Sequence, residues 1–138
     1  MLNTKHRQFV AFVIAGGMAA VVNFVSRIVL ANWLDYTSSI VIAYIIGMAT
    51  AFALNRLFVF QDAANAVHHQ IFWFTVVNLA AVIQTLLVSL LLAKIIFPKI
   101  GMSFHPEMIA HAAGVIFPIG TSFIGHKRFS FRSTNDGQ

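Results

Sequence analysis

The chain has 138 residues, 59% of them hydrophobic and only 9% charged, with nine Lys and Arg against four Asp and Glu. Soluble domains carry about 45–50% apolar and about 25% charged residues, so these charges are too few to coat a soluble globule. There is no cysteine, which excludes a disulfide-stapled secreted scaffold; the composition is that of a one-domain integral membrane protein.

Charges punctuate the sequence. Uncharged runs of 19, 20, 31 and 19 residues separate Arg7 from Arg27, Asp35 from Arg56, Asp62 from Lys94 and Glu107 from Lys127. A helix needs about 20 mainly apolar residues to cross hydrocarbon. The spacing therefore predicts four spans, over about residues 9–30, 38–57, 71–93 and 107–125. Barrel strands alternate in polarity, and the runs 9–14 and 80–87 do not, so the spans are read as helices. Lys5 and Arg7 followed by Gly17-Met18-Ala19 imitate a signal peptide, but the apolar pattern continues to Leu34, too long for one. Short connections predict a compact bundle with little outside the bilayer.

Orientation follows from the cations. Lys5, Arg7, Arg56, Lys127, Arg128 and Arg132 fall on one side, and Arg27, Lys94 and Lys99 on the other. Six against three predicts both termini in the cytoplasm. The isoelectric point of about 10.3 comes from cations that flank helices, so it points to anionic lipid head groups rather than nucleic acid. Trp33 and Tyr36 are expected at the outer interface and Trp73 at the inner one.

The chain repeats itself. The segment from Ala51 to Phe60 lies over that from Ser122 to Phe131 at an offset of 71, with three phenylalanines and one cation coinciding. Arg7-Gln8-Phe9 and Phe12 lie over His69-Gln70-Ile71 and Phe74 at an offset of 62, and the extra residues are expected in the loop before helix 4. The fold class expected is thus an all-α membrane protein whose four transmembrane helices form two parallel two-helix repeats, about 7–60 and 69–131. Parallel repeats imply a pseudo-two-fold axis along the membrane normal. On helix 2, Ala43, Gly47, Ala51 and Asn55 recur every four residues, and Gly114, Pro118, Ser122 and His126 do so on helix 4; helix 1 adds Gly16 and Ala20. Small residues at this spacing allow close helix approach in lipid. Pro118 removes a backbone donor, and a kink there would open carbonyls to a cavity.

These features carry a family resemblance. The opening Arg7-Gln8-Phe9-Val10 with Gly16 and Asn23, the helix 2 ending Phe52-Ala53-Leu54-Asn55-Arg56-Leu57-Phe58-Val59-Phe60 and the closing Lys127-Arg128-Phe129-Ser130-Phe131 resemble the GtrA-like family, from about residue 6 to 132. The resemblance implies a small four-helix protein of bacterial inner membranes, associated with cell-surface polysaccharide synthesis. It also implies a ligand, a polyprenyl-phosphate-linked sugar that is translocated (flipped). The second repeat departs from the first in having His126 and Lys127 where the first has Asn55 and Arg56.

Moving such a head group through hydrocarbon is costly because its hydroxyls and charge lose water. A translocase therefore needs cations for phosphate and hydrogen-bonding groups for sugar. Arg suits phosphate through its planar two-bond fork. Arg56, Lys127 and Arg128 form the candidate cytoplasmic phosphate site, or else serve as positive-inside anchors. Arg27, one turn beyond Asn23, is either an opposite station or a snorkelling residue paired with Asp35. Asn55 and His126 end the two stripes. Asn78 and Gln84 either face a cavity or bond a neighbouring helix. Glu107 with His111 and His105 is a gate or a partner of Arg27, or simply a helix start behind Pro106. His68-His69 lacks metal spacing and no metal or other cofactor is expected; no acid pair or nucleophile with its base emerges, so no enzyme activity is expected either.

Three functions compete. One is the lipid-linked sugar translocase. Another is a non-transporting membrane subunit that recruits or stabilises a glycosyltransferase partner. The third, a small proton-coupled multidrug exporter, would be similar to its kind in carrying a membrane-embedded Glu on helix 1, and residues 8–26 contain no acid. So small a chain is also expected to form a homodimer or higher homo-oligomer through its Gly16 or Gly47 face.

Overall fold

The computed structural model describes residues 4–134, except the side chain of Tyr36, whose expected interfacial role lies outside the described residues. Four helices carry the fold: α1 (Thr4–Leu30), α2 (Tyr36–Leu54), α3 (Val67–Leu91) and α4 (Pro106–Gly125). Three of them continue into π-helical turns, Asn55–Val59 after α2, Leu92–Ile96 after α3 and His126–Ser130 after α4. Counted with these extensions, the apolar helices run Thr4–Leu30, Thr37–Val59, Val67–Lys99 and Pro106–Ser130, each long enough to span a bilayer. No strand occurs among the described residues. Val21, Phe24, Ile83 and Leu87 are more than half exposed, apolar surface suited to hydrocarbon rather than water.

Two compact units divide the chain at Ala63 and Ala64. In the first, α1 and α2 pack antiparallel: Gln8 at the start of α1 reaches Val59 at the end of α2, and Asn23 packs on Gly47. The turn between them is tight. Leu34 N–H bonds the Leu30 carbonyl at 2.9 Å, and Asp35 caps α2 by accepting from Ser38 N–H at 3.1 Å and Ser38 Oγ at 2.7 Å. These bonds, the side-chain one first, hold the Asp35 carboxyl below its usual range, as expected of a carboxylate that satisfies an orphan donor of a helix start.

In the second unit α3 and α4 are likewise antiparallel, with Gly114 against Ser89 and the Thr85 carbonyl and Gly125 against Val77. α4 opens on His105, whose φ of 40° is left-handed, followed by Pro106 at the first helical position. It then continues as helix past Pro118 to Gly125.

The small-residue stripes are found largely where the spacing put them, with Ala51 and Ser122 only half-buried. Ser39, Ala43, Gly47, Asn55 and Val59 are buried on the second helix, and at an offset of 71 so are Ala110, Gly114, Pro118, His126 and Ser130. On α1 the packed residues are Ala15 and Ala19, whereas Gly16 and Ala20 are exposed. The stripe of α1 is therefore one residue earlier than expected. Its continuation through Phe12 and Asn23 contains no run of small residues, so spacing alone did not mark it.

The nine residues that separate the two offsets (71 against 62) are not mainly loop. Seven of them lengthen α3, which continues past Leu92, the equivalent of Leu30, through its π turn to a last helical turn, Phe97–Lys99. Apart from Lys94, residues 86–97 are Leu, Val, Ser, Ala, Ile and Phe, so nothing stops the helix until Gly101. There Gly101 takes φ 69°, its N–H bonding the Pro98 carbonyl at 3.3 Å and Met102 N–H the Phe97 carbonyl at 3.0 Å. This pair of bonds is the Schellman stop, which favours glycine because its φ is positive.

Two outcomes test this packing. A Cβ on Gly47 would come within 2.6 Å of Asn23 Cβ, while one on Gly16 would meet nothing within 4 Å. Gly47→Ala is expected to destabilise by about 1–3 kcal/mol and Gly16→Ala to be neutral or slightly stabilising, read by thermal unfolding in detergent. Because the folded Asp35 pKa is depressed, its contribution is present at neutral pH and is lost as pH falls through the depressed value. Asp35→Ala should therefore speed amide exchange of Ser38 and Ser39 at pH 7 and make no difference once the parent Asp35 is protonated.

Candidate functional site

Each unit ends in the same local geometry. In the first, Phe60 N–H closes the π turn on the Asn55 carbonyl at 2.8 Å, and in the second Phe131 N–H does so on the His126 carbonyl at 2.8 Å. Phe60 then leaves the helix at φ −118°, ψ 59° and Phe131 at φ −123°, ψ 59°. Both phenylalanines are buried. Each meets, edge to face, an aromatic ring near the start of the preceding helix: Phe12 with Phe60 at 6.4 Å and Phe74 with Phe131 at 6.0 Å. Phe12 and Phe74 are 62 apart, Phe60 and Phe131 are 71 apart, so both sequence offsets meet in one contact. A π turn is wider than an α turn and recurs at functional sites.

Side chains satisfy the carbonyls that these turns expose. Gln8 Nε2 donates to the Val59 carbonyl at 3.0 Å. In the second unit Asn65 Nδ2 donates to the equivalent Ser130 carbonyl at 3.0 Å, and Gln70 Nε2 in turn holds the Asn65 carbonyl at 2.7 Å. Asn55 and His126, which end the stripes, are both 2% exposed. Asn55 Nδ2 turns back to the Ala51 carbonyl at 2.7 Å. His126 stacks on Phe74 at 4.6 Å and shares a hydrogen bond from Nδ1 with Ser130 Oγ at 2.9 Å. Asn55 Oδ1, Asn65 Oδ1 and Gln70 Oε1 are buried acceptors without a partner among the described residues.

The cations follow directly. Arg56 is exposed and lines an open hollow of about 610 Å³ with Phe52, Leu57, Phe60 and Gln61. Lys127 is half-buried and Arg128 exposed in the second π turn. Arg56, Lys127 and Arg128 form no ion pair among the described residues. Arg27 stands in the last turn of α1, at the other end of the first unit from Arg56, and Asn23, one turn before it, is half-buried against Gly47.

The polar residues of α3 divide. Asn78 Nδ2 donates to the Phe74 carbonyl of its own helix at 2.8 Å rather than to a neighbouring helix. Gln84 reaches α4, where its Oε1 accepts from Thr121 Oγ1 at 2.7 Å, and it lines a groove of about 310 Å³. Glu107 sits in the first turn of α4 and meets Lys94 at 3.3 Å, with both side chains largely exposed; such a pair contributes little. His111 is exposed one turn later.

Sequence reasoning missed Gln8, Asn65 and Gln70 as the donors that hold the turn carbonyls. The Gln8–Gln70 coincidence carried that signal, but a donor's target carbonyl is fixed only by folding. It also missed the pairing of Trp73 with Phe129 at 5.2 Å.

The family profile described as GtrA/DPMS, transmembrane domain, matches residues 11–102, well over half of the chain. The chain belongs to this family. Membership makes it a multi-pass membrane protein with a role in polysaccharide synthesis and the handling of lipid-linked sugars, in a family that is generally non-catalytic. The matched residues take in most of α1, all of α2 and all of α3, and end before α4. No curated protein and no solved structure matches the chain.

The His126–Ser130 bond gives a direct test. Ser130→Ala leaves a ring nitrogen buried without its partner and is expected to cost about 1–2 kcal/mol, whereas adding His126→Phe removes both partners and keeps the ring on Phe74, recovering most of that loss. Thermal unfolding of the two single variants and the double variant measures the cycle.

Proposed function

We propose that this protein translocates a polyprenyl-phosphate-linked sugar across the bacterial inner membrane for cell-surface polysaccharide modification, with both termini cytoplasmic. The observation that carries the reading is Arg56: a guanidinium free of ion pairing among the described residues, on an aromatic-walled hollow at the end of an apolar helix. Its fork donates two parallel bonds to phosphate, and the hollow's Phe and Leu walls accept the first apolar carbons of the tail, whose remainder stays in lipid against the exposed flanks of the helices. Lys127 and Arg128 play the same part at the end of the second unit. Arg27, with Asn23 beside it, serves the opposite leaflet. Asn55 and His126 fix the two turns that present the cations, and Gln84 lines the path of the head group, while Asn78 is held to its own helix.

No bond is made or broken in this reading. The chain lowers the cost of moving a charged, hydroxylated head by replacing water with fixed donors and cations. Six cations on the side of the termini against three on the other support the orientation, and they draw anionic lipids to that face. The two equivalent unit ends support the parallel-repeat arrangement. Copies of the chain associate as a homo-oligomer, with the exposed Gly16 and Ala20 flank available; Gly47 is already used against Asn23.

The test is leaflet transfer of a radiolabelled polyprenyl-phosphate sugar in liposomes. Transfer by the parent and at least a tenfold loss in Arg56→Ala are expected, since an Arg–phosphate fork is among the stronger polar contacts. Undiminished transfer in Arg56→Ala removes Arg56 from the site. No transfer by the parent, with a glycosyltransferase recovered on the tagged protein, favours the recruiting-subunit reading instead.

A further inference from the structure

We propose that the groove between α3 and α4 is the subsite for the sugar itself, an uncharged hexose-class ring bound by one amide donor and an aromatic platform. This rests on the translocation reading and adds to it the residues that recognise the head group. The groove is walled by Trp73, Ala80 and Gln84 on α3 and by Thr121, Ser122 and Phe129 on α4 and its π turn. Trp73 and Gln84 are eleven residues apart, about 16 Å along a helix, so the groove runs from near the start of α3 to the middle of the span.

At its shallow end the Trp73 ring lies 5.2 Å from Phe129 at an interplanar angle of 30°. Aromatic faces are electron-rich and suit the C–H face of a pyranose. At its deep end Gln84 Oε1 is taken by Thr121 Oγ1, and the same hydroxyl lies 3.1 Å from the Pro118 carbonyl. Thr121 has one hydroxyl proton, and giving it to Gln84 Oε1, the shorter contact, leaves the amide nitrogen as the group Gln84 offers. Its two N–H donors have no partner among the described residues, and Gln84 is half-buried at the centre of the span Val67–Lys99. A bare amide at that depth is costly because hydrocarbon offers no acceptor.

The chemistry of the walls narrows the occupant. An isoprenoid tail has no oxygen for the Gln84 donors. A phosphate, or a sugar bearing a carboxylate or ammonium, needs a counter-charge, and none of the groove's residues is charged; an unpaired charge at this depth is strongly disfavoured. A neutral hydroxylated ring satisfies both ends, stacking at Trp73 and accepting from Gln84. Gln84 is thus a binding residue, and Thr121 is a positioning residue that acts through it.

Trp73 is also the reporter, since Trp33 is the other of the two tryptophans. Full-length Trp33→Phe protein in lipid nanodiscs is titrated with farnesyl-phosphoryl glucose, farnesyl-phosphoryl glucuronate and farnesyl phosphate. Saturable change in Trp73 emission is expected with the glucose conjugate, about tenfold tighter than with the other two. Gln84→Leu should abolish that preference, and Thr121→Val, which keeps the amide but releases its carbonyl, should reduce it several-fold. Equal response to farnesyl phosphate assigns the groove to the tail and overturns the proposal, as does an unchanged preference in both variants. A glucose preference without leaflet transfer in liposomes ends the flipping reading and leaves the sugar subsite standing. Equal transfer of glucose and glucuronate conjugates does the reverse.

Discussion

In hydrocarbon every main-chain carbonyl must find a donor inside the protein, because no solvent supplies one. That constraint organises both units at the ends of α2 and α4. An ordinary helix end leaves four carbonyls bare. Here a π turn draws Phe60 or Phe131 N–H back five residues, and a side-chain amide from near the start of the preceding helix, or just before it, takes the carbonyl of the turn's last residue. The turn is thereby stapled to its neighbour, and the cation beside Asn55 or His126 is presented from a fixed frame rather than from a loop.

The second constraint is the absence of a hydrophobic drive between helices in lipid, which leaves close contact as the main attraction. Gly47 and Gly114 occupy places where one more carbon would collide with Asn23 in one unit and with Ser89 and the Thr85 carbonyl in the other. Backbones brought this near also place polar side chains against the partner helix, as with Gln84 and Thr121. Packing and recognition therefore draw on the same few small residues.

Much of this was legible in the sequence because it is periodic. Charge-free runs gave the four spans to within a few residues, and the offset of 71 anticipated which residues are buried on α2 and α4. The shared ending predicted like structure at the two unit ends. What was not legible depends on where a side chain lands. Asn78 satisfies its own helix, Glu107 turns to Lys94, and α1 packs through Ala15 and Ala19 instead of Gly16 and Ala20. None of these is set by spacing, because each chooses between partners that only the fold brings within reach. The extra residues before α4 were misplaced for a related reason: a single Lys94 reads as the end of a span, but a long side chain can leave the hydrocarbon while its helix continues.

That continuation gives α3 a geometry unlike the other three helices. From Val67 to Lys99 it runs 33 residues, about 50 Å at helical rise, whereas hydrocarbon is about 30 Å thick. Ordinary tilts do not absorb a mismatch of that size. The helix is thus longer than hydrocarbon requires, and its Lys94 end meets the start of α4 through the exposed contact with Glu107 at 3.3 Å.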